Sequence, residues 1–311
     1  MKIAVLYTGA LRTIRKTMRY FKQNVLLHDD VHVFACLQND TSLLASQQED
    51  WIRDTIGEHL ISIEWFSLSS HQHWVQHRNH LLNNMNIHDK TRDYLKTSGS
   101  MIEYYQLQLA YIAMTKYEKN WKYDYIIRVR PDTIFAKPID FHWLHWSESD
   151  VEMRLERIRQ ELVESNIESD PIPYFMNTII SDTLIPNCYH LIGTLCLPNQ
   201  SNPISNLHEY IKKGAYILTL RKNLLYIVRR DLFHLIPSLG TMYGTFHQKT
   251  HSYWWDSESQ FEAACYHSNI TIYNYSTEFD DRSLYEYDEK RYFDRQFSIL
   301  NPAMLYCLVR H

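Results

Sequence analysis

Apolar and polar positions switch between two periods along the first part of the chain, and the switches mark out its elements. Residues Lys2 to Tyr7 form a short, mostly apolar run, the pattern of a strand covered on both faces. Thr8-Gly9 turns the chain, and Leu11, Ile14, Met18, Phe21 and Val25 then recur at the three-to-four spacing of one helix face. Val31 to Leu37 is a second buried-strand run, so the opening predicts a βαβ unit, a parallel sheet and a right-handed crossover. A helix around Gln47 to His59 and a strand at residues 61–66 continue the alternation. Ser100 to Glu103 spells a capping box, in which hydroxyl and carboxylate satisfy each other's backbone amides. It predicts a helix to about Lys119 with Ile102, Tyr105, Leu109 and Ile112 on its apolar face. That helix feeds residues 123–135, an apolar strand stopped by Pro131, which has no amide hydrogen for a ladder.

The second half is less regular. Val151, Leu155, Ile158 and Leu162 repeat within a highly charged segment, predicting an amphipathic helix over residues 151–168 on the outside of the sheet. Prolines at 171, 173, 186, 198 and 203 surround one strand at residues 189–197. Strands at 224–228 and 270–275 enclose a helix over 229–239, ended by Gly240, and another starting at Ser257. No internal repeat, low-complexity tract or long linker divides the chain, so one α/β domain with a decorated second half is the simplest reading of its 311 residues.

Composition narrows the chemistry. Seven glycines are about 2% of the chain, against an ordinary usage of roughly 7%, whereas tyrosines number 23. With glycine only at 9, 57, 99, 193, 214, 240 and 244, neither GxGxxG nor GxxxxGK[ST] can be written, which excludes the dinucleotide fingerprint and the P-loop. A bound nucleotide would need metal or arginine to neutralise its phosphates. Lys plus Arg is 32 and Asp plus Glu is 36, a net charge of −4, which argues against a nucleic-acid partner. Five dispersed cysteines without a CxxC suit a reducing compartment. The N-terminus lacks the pattern of a signal peptide, and no apolar stretch is long enough for a membrane span, so a cytoplasmic protein is expected.

Three stretches carry candidate chemistry. Thr8-Gly9-Ala10-Leu11-Arg12 follows the first strand, where a helix N-terminus and Arg12 suit a phosphate; the alternative is an ordinary turn before a solvated basic face formed by Arg15, Lys16, Arg19 and Lys22. In Arg128-Val129-Arg130-Pro131-Asp132, alternation sends both arginines to one face of a strand that otherwise reads as buried. Buried arginines need anions, and Asp132 is placed to hold Mg²⁺ or Mn²⁺ against a diphosphate. The alternative is an internal pair between Asp132 and one of those arginines. Tyr253, Trp254 and Trp255 form an aromatic wall suited to a sugar ring, and Asp256 or Glu258 beside it suits a base that deprotonates an attacking hydroxyl; the alternative makes the two acids a helix cap and a dipole complement. A competing constellation is His73, His77 and His80, which share one helix face near His71 as a metal comb, although no HExxH or acidic ligand accompanies them.

The segments KIAVLYTGALRT, SMIEYYQLQLAYIAMTKYEKNWKYDYIIRVRPDTIF and WWDSESQFEAACYHSNITI resemble a group of GT-A-type glycosyltransferases found in microbial polysaccharide and large-virus gene sets. The resemblance spans residues 1–40, 98–140 and 220–275, and the middle block is its most specific part. It implies a GT-A-like, Rossmann-type mixed sheet flanked by helices. Residues 1–140 would bind the nucleotide sugar, 141–215 would be a variable insertion, and 216–311 would carry the acceptor and catalytic half. Thr8, Gly9, Arg12, Arg128 and Arg130 would line the donor pocket, and Asp132 would be what is left of a metal-binding DxD motif, reduced here to Arg-Pro-Asp. Asp256 or Glu258 falls where inverting members keep the base. The implied reaction takes a sugar from a nucleoside diphosphate sugar to a hydroxyl of a glycan or other acceptor. Two other classes compete: a non-catalytic carbohydrate- or nucleotide-sugar-binding protein, and a metal hydrolase built on the histidine comb.

Overall fold

The computed structural model describes residues 1–38, 45–84, 89–97, 99–135, 148–168, 195–196, 216–220, 225–230, 233, 271–275 and 306–308. Apolar run, turn and amphipathic stretch fold in the expected order: β1 (Ile3–Ala10), α1 (Ile14–Asn24), β2 (Val31–Gln38), α2 (Ala45–Ile56) and β3 (Leu60–Phe66). Three helices follow, α3 (Gln72–Asn84), α4 (Asp89–Thr97) and α5 (Gly99–Tyr117), before β4 (Tyr125–Val129) and the short β5 (Thr133–Phe135). Later come α6 (Glu148–Glu164), β6 (Leu195–Cys196), β7 (Tyr216–Leu220), β8 (Leu225–Arg229), β9 (Thr271–Tyr275) and β10 (Tyr306–Leu308).

Eight of the described strands form one sheet in the order β3-β2-β1-β4-β8-β7-β9-β6. Its first four strands are parallel, β8 runs antiparallel to β4, β7 antiparallel to β8, β9 parallel to β7 and β6 antiparallel to β9. The fold is therefore a mixed α/β sheet flanked by helices, with strands from both halves of the sequence in one layer. β5 pairs separately with β10.

Alternation along β1 decides what each face holds. Ala4 and Leu6 point to the side where Phe34, Cys36 and Ile126 meet α5 in the main core, while Tyr7 points to the other side and stacks on Phe21 of α1 at 4.5 Å. All five positions of the α1 stripe, Leu11 to Val25, are buried. The expected face of α5 is only partly the buried one: Ile102 and Tyr105 are buried and Leu109 packs against the core, but Ile112 is 39% exposed, and Met101, Tyr104, Leu107, Ala110 and Met114 are buried as well. The helix packs on β1, β2 and β3 and also meets α4, so apolar residues occur nearly all round it and the single-face period is blurred.

Two boundaries also differ from the sequence reading. The strand over 123–135 is two strands, because Pro131 ends β4 and the chain re-enters a different ladder at β5. Arg229 belongs to β8 rather than to a helix, since its register with Tyr125 extends the antiparallel ladder. Only Leu195–Cys196 of the strand expected at 189–197 falls within the described residues.

The amino end of β4 is fastened by a buried ionic network. Glu118, just past α5, accepts Arg230 Nε at 2.7 Å and Arg230 Nη2 at 2.6 Å, and its Oε1 also accepts the Tyr123 amide at 3.1 Å. Arg230 donates from Nη1 to Tyr111 Oη at 2.8 Å, and its amide donates to the Asp124 carbonyl at 3.0 Å. One side chain pair thus joins α5, the start of β4 and the end of β8. No described helix is long and apolar enough to cross a membrane.

Candidate active site

Chain order and sheet order part between β1 and β4. From β1 the chain moves outward to β2 and β3, then returns to add β4 on the other side of β1. At such a switch the connections leave in opposite directions and open a crevice beyond the carboxyl ends of the strands, where open α/β sheets hold ligands. Thr8-Gly9 is not the turn the sequence suggests: β1 runs on through Ala10, in register with β2, so residues 11–13 leave β1 and residues 130–132 leave β4 at this point.

A close backbone approach joins the two. Gly9 has φ +148°, and a Cβ placed on it would stand 2.9 Å from Pro131 Cδ. Only a residue without Cβ tolerates both the conformation and the contact. The Pro131 carbonyl accepts a hydrogen bond from Thr17 Oγ1 of α1, and the Thr133 amide donates to the Arg130 carbonyl at 3.2 Å. Residues 130–133 thus close a turn with proline at its second position, where the fixed φ fits.

Within that turn Arg130 holds Asp132 with two bonds, Nε to Oδ1 at 2.9 Å and Nη2 to Oδ2 at 2.7 Å. Asp132 is 4% exposed. Of the two readings open for this aspartate, the internal pair is the one present in the structure. Arg128 is buried on β4 and donates from Nη2 to Glu103 Oε1 on α5. The expected shared face of Arg128 and Arg130 does not extend to Arg130, because β4 ends at Val129 and Pro131 redirects the chain. The Ser100 to Glu103 pattern places Glu103 in a capping box, whereas its carboxylate is turned toward the guanidinium of Arg128. A buried arginine in an apolar strand requires an acid, and Glu103 is the acid on the adjoining stretch of α5, a signal the sequence did contain.

Other groups at the crevice are less committed. Arg12 is exposed on the loop after β1 and has no ion pair among the described residues, whereas Arg15 and Arg19 behind it lie over the rings of Trp51 at 4.7 Å and Tyr20 at 4.6 Å. Thr8 and Thr133 are buried, and neither hydroxyl has a hydrogen-bond partner. An unsatisfied buried hydroxyl costs about 1–3 kcal/mol, which a ligand or an ordered water offsets. Burial, and after it the charge of Asp132, pushes the Tyr7 hydroxyl well above its ordinary range, with a hydrogen bond to Thr17 pulling the other way. It stays a protonated donor beside the turn at neutral pH.

A Mg²⁺ or Mn²⁺ ion at a diphosphate takes one or two carboxylates from the protein and fills the rest of its octahedron with phosphate and water oxygens. Among the described residues no three His, Cys, Asp or Glu side chains come together to hold a metal, and both oxygens of Asp132 serve Arg130. The described groups do not fit a divalent cation as they stand, because the carboxylate of this turn is engaged through both oxygens by a guanidinium.

The histidine comb is dispersed among separate partners. His71 is buried, stacks on Phe66 at 5.0 Å and bonds to the Ser67 carbonyl. His73 meets Tyr105 Oη at 3.2 Å, and His80 meets Asn84 Nδ2 at 3.0 Å. Helix spacing put three rings on one face, yet each is held by a neighbour of its own or faces solvent. Tyr253, Trp254, Trp255, Asp256 and Glu258 lie outside the described residues.

Fold and site together define a mixed α/β protein in which Arg12 follows β1 and Arg130 follows β4 at the strand-order switch. No family model and no curated protein matches the chain. Among solved structures it is similar to core-mannan synthase A of Aspergillus fumigatus in an Mn/GDP form, with 10% identity and a TM-score of 0.32, over 85% of this chain and 69% of that one. It is also similar to the mannosyltransferase Ktr4p of S. cerevisiae in complex with GDP, with 12% identity and a TM-score of 0.24, over 53% of this chain and 45% of that one. Likeness at this level carries no residue-by-residue correspondence.

Proposed function

We propose that this chain is a GT-A-like glycosyltransferase that moves a sugar from a nucleoside diphosphate sugar to a hydroxyl of a glycan or other acceptor, with inversion. One observation carries the reading: Arg12 follows β1 and Arg130 follows β4, so two cations border the crevice on either side of the strand-order switch. In glycosyl transfer the bond from the anomeric carbon to the diphosphate oxygen breaks, and negative charge grows on the departing diphosphate. Fixed guanidinium groups stabilise such charge without reorganising at the moment of reaction. The acceptor oxygen attacks the anomeric carbon and loses its proton to a carboxylate, the role proposed for Glu258 or Asp256, while Tyr253 to Trp255 pack on the sugar ring.

The test is a screen of nucleotide sugars against the purified chain, read as donor hydrolysis and as thermal stabilisation. One donor is expected to give both, and a panel giving neither overturns the reading. Arg12→Ala, at an exposed position, is expected to weaken that donor about tenfold, about 1.4 kcal/mol, without lowering stability. Glu258→Gln is expected to abolish turnover while donor binding persists. A non-catalytic binding protein would instead show no turnover and no effect of Glu258→Gln.

A further inference from the structure

We propose that Asp132 is the counter-ion and positioning residue of Arg130 rather than a metal ligand, so that the donor's diphosphate is bound by guanidinium groups with no divalent cation. The inference rests on the donor reading above and takes it one step further, to the means of charge neutralisation.

Three observations combine. The first is geometric: Arg130 and Asp132 meet through two parallel bonds at 2.9 and 2.7 Å across Pro131, and a two-point pair fixes the guanidinium plane as well as its position. The proline, seated against Gly9 and bonded to Thr17, holds that turn in one conformation. The second is electrostatic. A divalent ion bound at Asp132 would face a guanidinium at hydrogen-bonding distance from the same two oxygens, and two cations in a poorly solvated site repel strongly. The third concerns ligand supply, since an ion held between a diphosphate and the protein still needs one or two carboxylates, and both oxygens of the carboxylate in this turn serve Arg130. The chain also lacks the glycine loops that wrap phosphates with backbone amides. Among the described residues at the switch, arginine side chains remain as the neutralising groups, Arg130 after β4 and the exposed Arg12 after β1.

In this arrangement Asp132 keeps Arg130 neutralised and oriented while the site is empty. A diphosphate, with more charge than a carboxylate, competes with Asp132 for the same guanidinium. The competition gives the substitution Asp132→Asn a sign opposite to the one a metal ligand would give. With the carboxylate gone, one negative charge beside Arg130 is removed, and anion binding strengthens.

The experiment is calorimetric binding of GDP, UDP, ADP and CDP to the full chain, in EDTA and in excess Mn²⁺. The nucleotide that binds is expected to do so with affinities within about threefold in the two buffers. In EDTA, Asp132→Asn is expected to bind it about threefold more tightly or better, and Arg130→Gln about tenfold more weakly. Binding that requires Mn²⁺, or that weakens in Asp132→Asn, overturns the inference and leaves the donor reading standing. Failure of all four nucleotides in both buffers overturns the donor reading and this inference with it. If Asp132→Asn does not fold, the comparison of buffers on the unsubstituted chain still decides the outcome.

Discussion

Replacing Glu118 with glutamine is expected to destabilise the protein by about 3–5 kcal/mol, the range found when one partner of a buried ion pair is removed. The carboxylate is wholly buried at its side chain, and the Arg230 it holds is 15% exposed. Glutamine can accept one of the two Arg230 bonds, but its amide presents hydrogens to the second guanidinium nitrogen, and a charge is left without its counterpart. The loss would appear as a lower urea midpoint with an unchanged slope. Acid provides an independent check. Burial by itself would raise the Glu118 carboxyl, but hydrogen bonds from Arg230 and the Tyr123 amide, with the charges of Arg230 and Lys122, hold it below the ordinary carboxylate range. A carboxyl lowered by folding stabilises the native state at neutral pH and loses that contribution as pH falls through its folded pKa. The difference between the native chain and Glu118→Gln should therefore be widest near neutrality and shrink below the usual carboxylate range. A difference that stays constant into acid would show that Glu118 acts through packing alone.

Gly9→Ala is expected to cost about 2–5 kcal/mol by two separable routes. At φ +148° an L side chain is strained whatever the space around it, and the new methyl would also press on Pro131 Cδ at 2.9 Å. The double substitution Gly9→Ala with Pro131→Ala separates them, because it removes the contact and keeps the conformational strain. About half of the loss should be recovered. Full recovery would mean that the conformation is unstrained, and no recovery that the contact is harmless. Because Pro131 lies between Arg130 and Asp132, the single substitution should also weaken anion binding at the crevice, even though residue 9 carries no polar atom toward it. Calorimetry on the folded fraction checks this.

The parts of the fold legible in sequence are those where one cause dominates. β1, α1, β2 and β3 follow from apolar runs and one clean stripe, because each meets a single uniform environment. α5 was legible as a helix but only partly in its facing, with Ile102 and Tyr105 buried and Ile112 not, since the sheet covers one side of it and α4 meets another. β7 and β10 gave no distinct signal: YILTL and YCL are too short to separate from their surroundings, and their pairing is decided by partners distant in sequence. The site divides in the same way. Gly9 and the Arg128 to Asp132 stretch stood out because glycine is scarce and arginine is anomalous in an apolar strand. The partners of those residues did not stand out, because a pair such as Glu103 with Arg128, or Thr17 with Pro131, exists only once a helix is laid against a strand. Helix spacing could group the histidines and could not say that Tyr105 and Asn84 would engage two of them individually.

The ladder between β5 and β10 bears on the order in which the protein is made. Thr133, next to Asp132, is in register with Leu308, whereas the four parallel strands β3, β2, β1 and β4 all lie within residues 3–129. A chain leaving the ribosome at about 5–20 residues per second can lay down those four strands while the partner of β5 has still to be translated. The crevice would have its floor early, and the turn bearing Arg130 and Asp132 would gain its second strand only once residues 306–308 emerge. A nascent chain stalled before that point should be compact and resistant to protease over its first four strands, yet weaker in binding anions than the released protein.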